Sequence, residues 1–295
     1  MVLIVFYGDM HVLYKKNYME KILLAMDAMH INTQTIEFSC YLSRLTGSRL
    51  TGVFLEDLLS EPAFGAFQQE VQMQAGGAIE TQTASTRAEI TDANIQLFRK
   101  ACEARGVVPN IHRDRGIPLN EVIRESRFAD LVVVDAETSF TRERGPLPGK
   151  FVKDVLQDSE CPVIIAPYTF HTIDEVIFAY NGSASSVWAI KQFTYLFPEL
   201  KQKKAIVVDV KEKDDGAIEE QYKMKEWLRQ HYSNVEVKIL TGDASDELFG
   251  YLIDKKNAIV VIGAYGRGWL SRLLKPSQAR IIVKTVNLPL FIAHH

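Results

Sequence analysis

The chain has 295 residues, 47% of them hydrophobic and 24% charged, with a formal net charge of −3 at pH 7. That length and apolar content allow one large core or two ordinary ones, and the slightly acidic balance argues against a dedicated surface for nucleic acid. Three cysteines without C-x-x-C spacing and seven scattered histidines offer no zinc-like ligand set, so no metal site is expected, and a reducing cytoplasm suits the thiols.

The opening run Met1–Tyr7 is apolar but too short for a membrane helix, so no membrane contact is expected and residues 1–18 read as an extension of unclear role. From residue 19 the hydrophobic periodicity predicts a strand over 21–26, an amphipathic helix over 33–45 and a strand over 49–55. A Gln-, Gly- and Thr-rich excursion covers 61–86, a length that suits a lid or a solvated insertion. Beyond it come a helix around 87–105, a strand at 107–112, a helix after Pro118, a strand at 131–134, a helix near 151–157 and a strand at 163–166. Short, continuous apolar strands alternating with helices imply a parallel sheet covered on both faces, because each parallel crossover needs a helix.

The same order then recurs. Strands are predicted at 175–179, 204–210, 235–240, 258–262 and 290–293, with helices near 185–195, 218–232, 245–254 and 277–286. Local echoes fix the register, since Lys21-Ile-Leu-Leu-Ala-Met-Asp27 matches Glu175-Val-Ile-Phe-Ala-Tyr-Asn181 and Cys161-Pro-Val-Ile-Ile-Ala166 matches Leu288-Pro-Leu-Phe-Ile-Ala293. A repeat of about 150 residues points to a tandem duplication. The fold class expected is therefore α/β, two tandem doubly wound sheets of five parallel strands, one over 19–167 and the other over 174–295, with a short linker between.

The apolar run Ile259–Ile262 breaks into Gly263-Ala-Tyr-Gly266-Arg-Gly268 and reaches Pro276-Ser277 at the start of a predicted helix. Glycines let backbone amides approach an anion, and the free N–H groups of a helix N-terminus favour negative charge. In the first half the matching loop reads Asp135-Ala-Glu-Thr138 and runs on to Gly149-Lys150. Two acidic side chains there repel a phosphate and fill its space, so this half is expected to bind none. The run Gly145–Phe151 is not a P-loop, for it has one residue too few between its glycines and Phe in place of Ser or Thr. Trp188 and Trp227 fall at helical positions that suit core packing.

With its repeat, its strand-four segment Asp130-Leu-Val-Val133, and the spacing of Gly263, Gly266 and Ser277, the chain resembles the universal stress proteins in their tandem form. The resemblance runs from Glu20 to His295. It implies a Rossmann-like fold of the adenine nucleotide alpha hydrolase type and, in the ATP-binding branch, a strand-one Asp on the nucleoside, strand-two backbone on adenine, and a glycine loop with Ser on the phosphates. Carried over, Asn181 with the adjacent Gly182 takes the nucleoside position, Val210 faces the base, Gly263, Gly266 and Gly268 admit phosphate, Arg267 pairs with it and Ser277 donates at the helix start. Pro276 replaces the family's third glycine and removes one N–H, while Asn181 lacks the family's charge, so weaker binding is expected. The leading expectation is a non-catalytic, cytoplasmic stress-response protein with ATP or another adenine nucleotide in the second half. The rivals are an interaction or structural module without nucleotide, and a slow ATP hydrolase. The family commonly pairs through its last strands, which predicts an internal pseudo-dimer of 163–166 with 290–293 and leaves a homodimer of the whole chain open.

Overall fold

The computed structural model describes residues 19–57, 78–140, 147–211, 218–263 and 286–293, with backbone alone for 78–85 and 218–221. Chain order in the first half is β1 (Lys21–Asp27), α1 (Thr33–Thr46), β2 (Arg49–Asp57), α2 (Ala78–Glu103), β3 (Asn110–Gly116), α3 (Pro118–Ser126), β4 (Leu131–Asp135), α4 (Lys150–Asp158) and β5 (Val163–Ala166). The second half follows with β6 (Glu175–Tyr180), α5 (Ala184–Leu196), a 3-10 turn (Pro198–Leu200), β7 (Lys204–Lys211), α6 (Ile218–Arg229), β8 (Asn234–Thr241), α7 (Ala244–Ile253), β9 (Ala258–Gly263) and β10 (Leu290–Ala293). The extension 1–18, most of the 61–86 excursion and most of the helix expected over 277–286 lie outside the described residues.

The described strands form one ten-stranded sheet in the order β3-β2-β1-β4-β5-β10-β9-β6-β7-β8. Within each half every pair is parallel, as in Ala25 beside Val134 and Phe178 beside Val261. The halves meet antiparallel, with Leu290 opposite Ile165 and Ile292 opposite Val163. Central strands of such a sheet are buried on both faces, which is why β1, β4, β6 and β9 read as unbroken apolar runs. One face carries Phe38 of α1, Phe98 of α2, Phe193 of α5 and Leu228 of α6; the other carries Val122 of α3, Val155 of α4 and Leu248 of α7. Both apolar layers run across the two halves.

Local chemistry sets the element ends. Asn32 caps α1 by accepting the Gln34 N–H at 2.9 Å, and the helix stops at Gly47, whose φ of 74° places it in the left-handed region. The linker is held as well. Phe170 packs its ring 4.9 Å from Phe38 and 4.6 Å from Tyr41, and the Asn287 Oδ1 accepts from the backbone N–H groups of Tyr168 at 2.7 Å and Thr169 at 3.1 Å. Trp188 and Trp227 pack against the first apolar layer.

The largest departures from the expected boundaries are in β3 and α2. Strand β3 begins at Asn110 rather than Val107 and runs to Gly116, because the strand lies at the sheet edge and is polar, whereas the apolar pair before it is not in the ladder. Arg113 pairs with Glu56 and with Asp92 at 2.9 Å, and Arg115 with Glu56 at 3.1 Å, charges that keep an open edge from pairing with other chains. Helix α2 starts at Ala78, nine residues before the expected 87, so part of the Gln- and Thr-rich excursion is helical.

Candidate functional site

In a doubly wound sheet the ligand crevice lies beyond the carboxyl ends of the strands where strand order reverses. Here that point falls between β1 and β4 in the first half and between β6 and β9 in the second. The register makes Asp27 the counterpart of Asn181 and Asp135 the counterpart of Gly263.

In the second half, β6 ends at the buried Tyr180, and Asn181 and Gly182 are exposed in the turn that follows, with Gly182 at φ 74°. The Asn181 Oδ1 accepts from the Ser183 N–H at 3.1 Å and the Ser183 hydroxyl at 2.6 Å. Ser183 in turn caps α5, its Oγ accepting the Ser186 N–H at 3.2 Å. These turns are local hydrogen bonding of the kind Asn and Ser favour before helices. Among the described residues the Asn181 side-chain amide nitrogen has no partner.

Gly263 stands where the start of α5 packs on the sheet. A Cβ placed on it would lie 2.5 Å from the Ser185 carbonyl carbon and oxygen, so the helix start rests on bare backbone. The glycine that drew notice as an anion cradle is thus required by packing as well. A cavity of about 40 Å³ follows, lined among others by Asn181, Ser186, Val210, Leu248, Ile262 and Gly263, and among the described residues none that line it is charged. The fold therefore brings Asn181, Val210 and Gly263 into one crevice and sets Gly182 on the turn beside it. Gly266, Arg267, Gly268 and Ser277 lie outside the described residues. Sequence reasoning missed Ser186 and Leu248, which reach the crevice from the N-terminal halves of α5 and α7 and carry no motif.

The first half is built differently at the same place. Asp27 accepts the Met29 N–H at 2.9 Å and pairs with His30 at 2.9 Å. The Asp135 carboxylate accepts from the Asn32 amide at 2.5 Å and from the Glu137 N–H at 2.9 Å, so the residue that caps α1 also ties down the end of β4. The Leu55 carbonyl, two residues before β2 ends, is taken by the Ala28 N–H at 3.0 Å, and the Asn94 amide holds the Ala28 carbonyl at 2.9 Å. The N–H of Gly149, at the cap of α4, donates to the Ala136 carbonyl at 3.3 Å. Tyr168 donates to Glu137 at 3.1 Å, and burial together with that carboxylate holds the phenol well above its ordinary pKa. Among the described residues no group of three or more His, Cys, Asp or Glu could hold a metal ion, and no helix is long and apolar enough to cross a membrane.

No family model matches the sequence. A universal stress protein of Synechocystis is 21% identical over 285 residues, covering 92% of this chain and 98% of the relative. Among solved structures, a universal stress protein from Archaeoglobus fulgidus superposes with a TM-score of 0.68 at 16% identity, covering 95% of this chain and 99% of the other. The chain has the universal stress protein fold. A further match, to a structure described as a putative universal stress protein from Pseudomonas aeruginosa, has a TM-score of 0.52 at 10% identity and covers 94% of this chain and 93% of the other. The coverage of both chains means that the tandem arrangement, not one half, is what these universal stress folds share with this protein.

Proposed function

We propose that this chain is a universal stress protein of two units, residues 19–167 and 174–295, in which the second takes ATP or another adenine nucleotide and the first is a partner with its site filled. The observation that carries this reading is the contrast at the two switch points. Among the described residues the second crevice has no charged lining residue and presents the Asn181 amide, whereas the first holds Asp27 and Asp135, each in hydrogen bonds of its own. In this reading Asn181 meets a ribose hydroxyl, Val210 meets the base, and Gly266, Arg267, Gly268 and Ser277 meet the phosphates. The protein then acts in the cytoplasm, without catalysis, as a nucleotide-responsive stress protein.

Titration of the full chain with ATP by calorimetry tests it. The expected result is saturable binding at one site, weakened about tenfold or more by Arg267→Ala, as for loss of a charge-assisted hydrogen bond, and unchanged by Asp27→Asn. Absence of saturable binding, or its loss on Asp27→Asn, overturns the proposal. A second reading, an interaction module without nucleotide, is favoured by the small cavity of about 40 Å³ and by α7, whose first N–H groups are taken by Asp243 and whose first turn carries Asp246 and Glu247. The same titration separates the two, and phosphate release in the same samples tests slow hydrolysis.

A further inference from the structure

Sixty-two positions separate Cys40 from Cys102, yet their sulfurs lie 3.5 Å apart with both residues fully buried. Cys40 sits in the middle of α1, and Cys102 in the last turn of α2, one residue before that helix ends at Glu103. Both are free thiols. We propose that this pair is an oxidative modification site, closed to an intrachain disulfide between α1 and α2 by a small peroxide.

The surroundings assign the two roles. The sulfur-to-sulfur hydrogen bond lowers the Cys40 pKa, the positive charges of Arg105 and Arg44 act in the same sense, and burial opposes them. Cys102 is pushed the other way by the same hydrogen bond and by burial. The thiolate is the nucleophile in such chemistry, so Cys40 attacks and Cys102 resolves. In the first step the Cys40 thiolate attacks one peroxide oxygen, the O–O bond breaks, and Cys40 becomes a sulfenic acid. The departing hydroxide takes the proton shed by the Cys40 thiol and leaves as water. In the second step the Cys102 sulfur attacks the Cys40 sulfur, the S–O bond breaks, and hydroxide leaves as a second water with the Cys102 proton. Two thiols are oxidised and one peroxide is reduced to two waters.

The site is buried but close to an exit. Beyond Cys102 the chain turns through Arg105 and Gly106, the latter at φ 72° with open space around it. Across the two helices Arg105 pairs with Glu37 and donates to the Ala101 carbonyl at 2.9 Å. Fraying of this one turn opens a path for a molecule as small as hydrogen peroxide, since helix ends open at far lower cost than the core. Cys161, by contrast, lies in an apolar setting that raises its pKa to about 12, chiefly through burial. It serves as an internal control. The cross-link would also fix α1 next to Phe38 and Tyr41, the residues that hold Phe170 of the linker.

The experiment exposes the reduced, full-length protein to hydrogen peroxide under native conditions, then unfolds it in an alkylating reagent and records intact mass and a non-reducing peptide map. The expected result is a fall from three alkylatable thiols to one, Cys161 alone labelled, a peptide joining Cys40 to Cys102, and full reversal by dithiothreitol. Cys102→Ser should instead leave a Cys40 sulfenic acid that a 1,3-diketone probe captures, while Cys161→Ser should cross-link as the wild type does. Three thiols surviving peroxide, first oxidation at Cys161, or a bridge between two chains would each overturn the proposal, and the wild-type map decides even if a variant fails to fold.

Discussion

At the carboxyl ends of β1 and β4 the first half carries Asp27 and Asp135, whereas the corresponding ends of β6 and β9 carry Asn181 and Gly263. The first pair is embedded in hydrogen bonds from Met29, His30, Asn32 and Glu137, while the second borders a crevice with no charged lining residue among the described residues. The difference follows from what each half does with the same gap. In the second half α5 descends onto Gly263 and needs a residue without a side chain there. In the first, α1 begins six residues after Asp27, and the longer turn lets Asn32 reach across to Asp135. A side chain at one position and none at the other are thus two ways of joining a helix start to a strand end.

The sharpest way to break this comparison is to put a side chain where α5 rests. Gly263→Val should cost about 3 kcal/mol, because its Cβ meets Ser185 backbone that cannot rotate away; urea unfolding measures it, and a loss under about 0.5 kcal/mol would refute the packing role. The reciprocal change, Asp135→Gly, strips the Asn32 amide of its acceptor and should cost about 1 kcal/mol in the same assay. It should not create ATP binding, because the Gly149 N–H remains on the Ala136 carbonyl; calorimetry showing a new site would sink that account.

The smallest effect sharpens the contrast at the edges, where Asp114 of β3 takes the position that Leu240 holds in β8. Burial first, then Glu125 and Glu121, raise the Asp114 pKa in the folded protein. The folded state therefore disfavours the ionised form, and the penalty is absent below the ordinary carboxylate pKa and grows as pH rises through the elevated one. Asp114→Asn should stabilise the protein at pH 7 by at most about 1 kcal/mol, since the group is partly solvated, and the gain should vanish at low pH. Equal gains at both ends of the range would show that charge is not the cause.

The central strands were legible because burial on both faces leaves an unbroken apolar run, as in Leu131–Val134 and Ile259–Ile262. The edge was not: β3 takes its residues from the charged run Asn110–Gly116, and an apolar pair outside the ladder drew the expected strand toward it. Candidate site residues were legible where a strand end fixes them, as at Asn181, Val210 and Gly263. The helix contribution of Ser186 and Leu248 depends on how α5 and α7 sit over the sheet, which no local pattern encodes. Nor does any spacing pattern foretell that Cys40 and Cys102 meet, for their contact is made by two helices packing side by side.

The antiparallel seam of β5 and β10 has a consequence for how the chain is made. On the side of β5 away from β4, Ile165 pairs with Leu290, so during synthesis the finished first unit waits with that flank of its sheet bare until more than a hundred further residues have left the ribosome. Contacts of such long sequence separation form late and slowly, and an unpaired β5 is the segment of the nascent chain most open to another strand in that interval. Fusion of the two units into one polypeptide thereby turns an encounter between molecules into a ring closure, whose rate depends on the length of the connecting chain and not on the concentration of the protein.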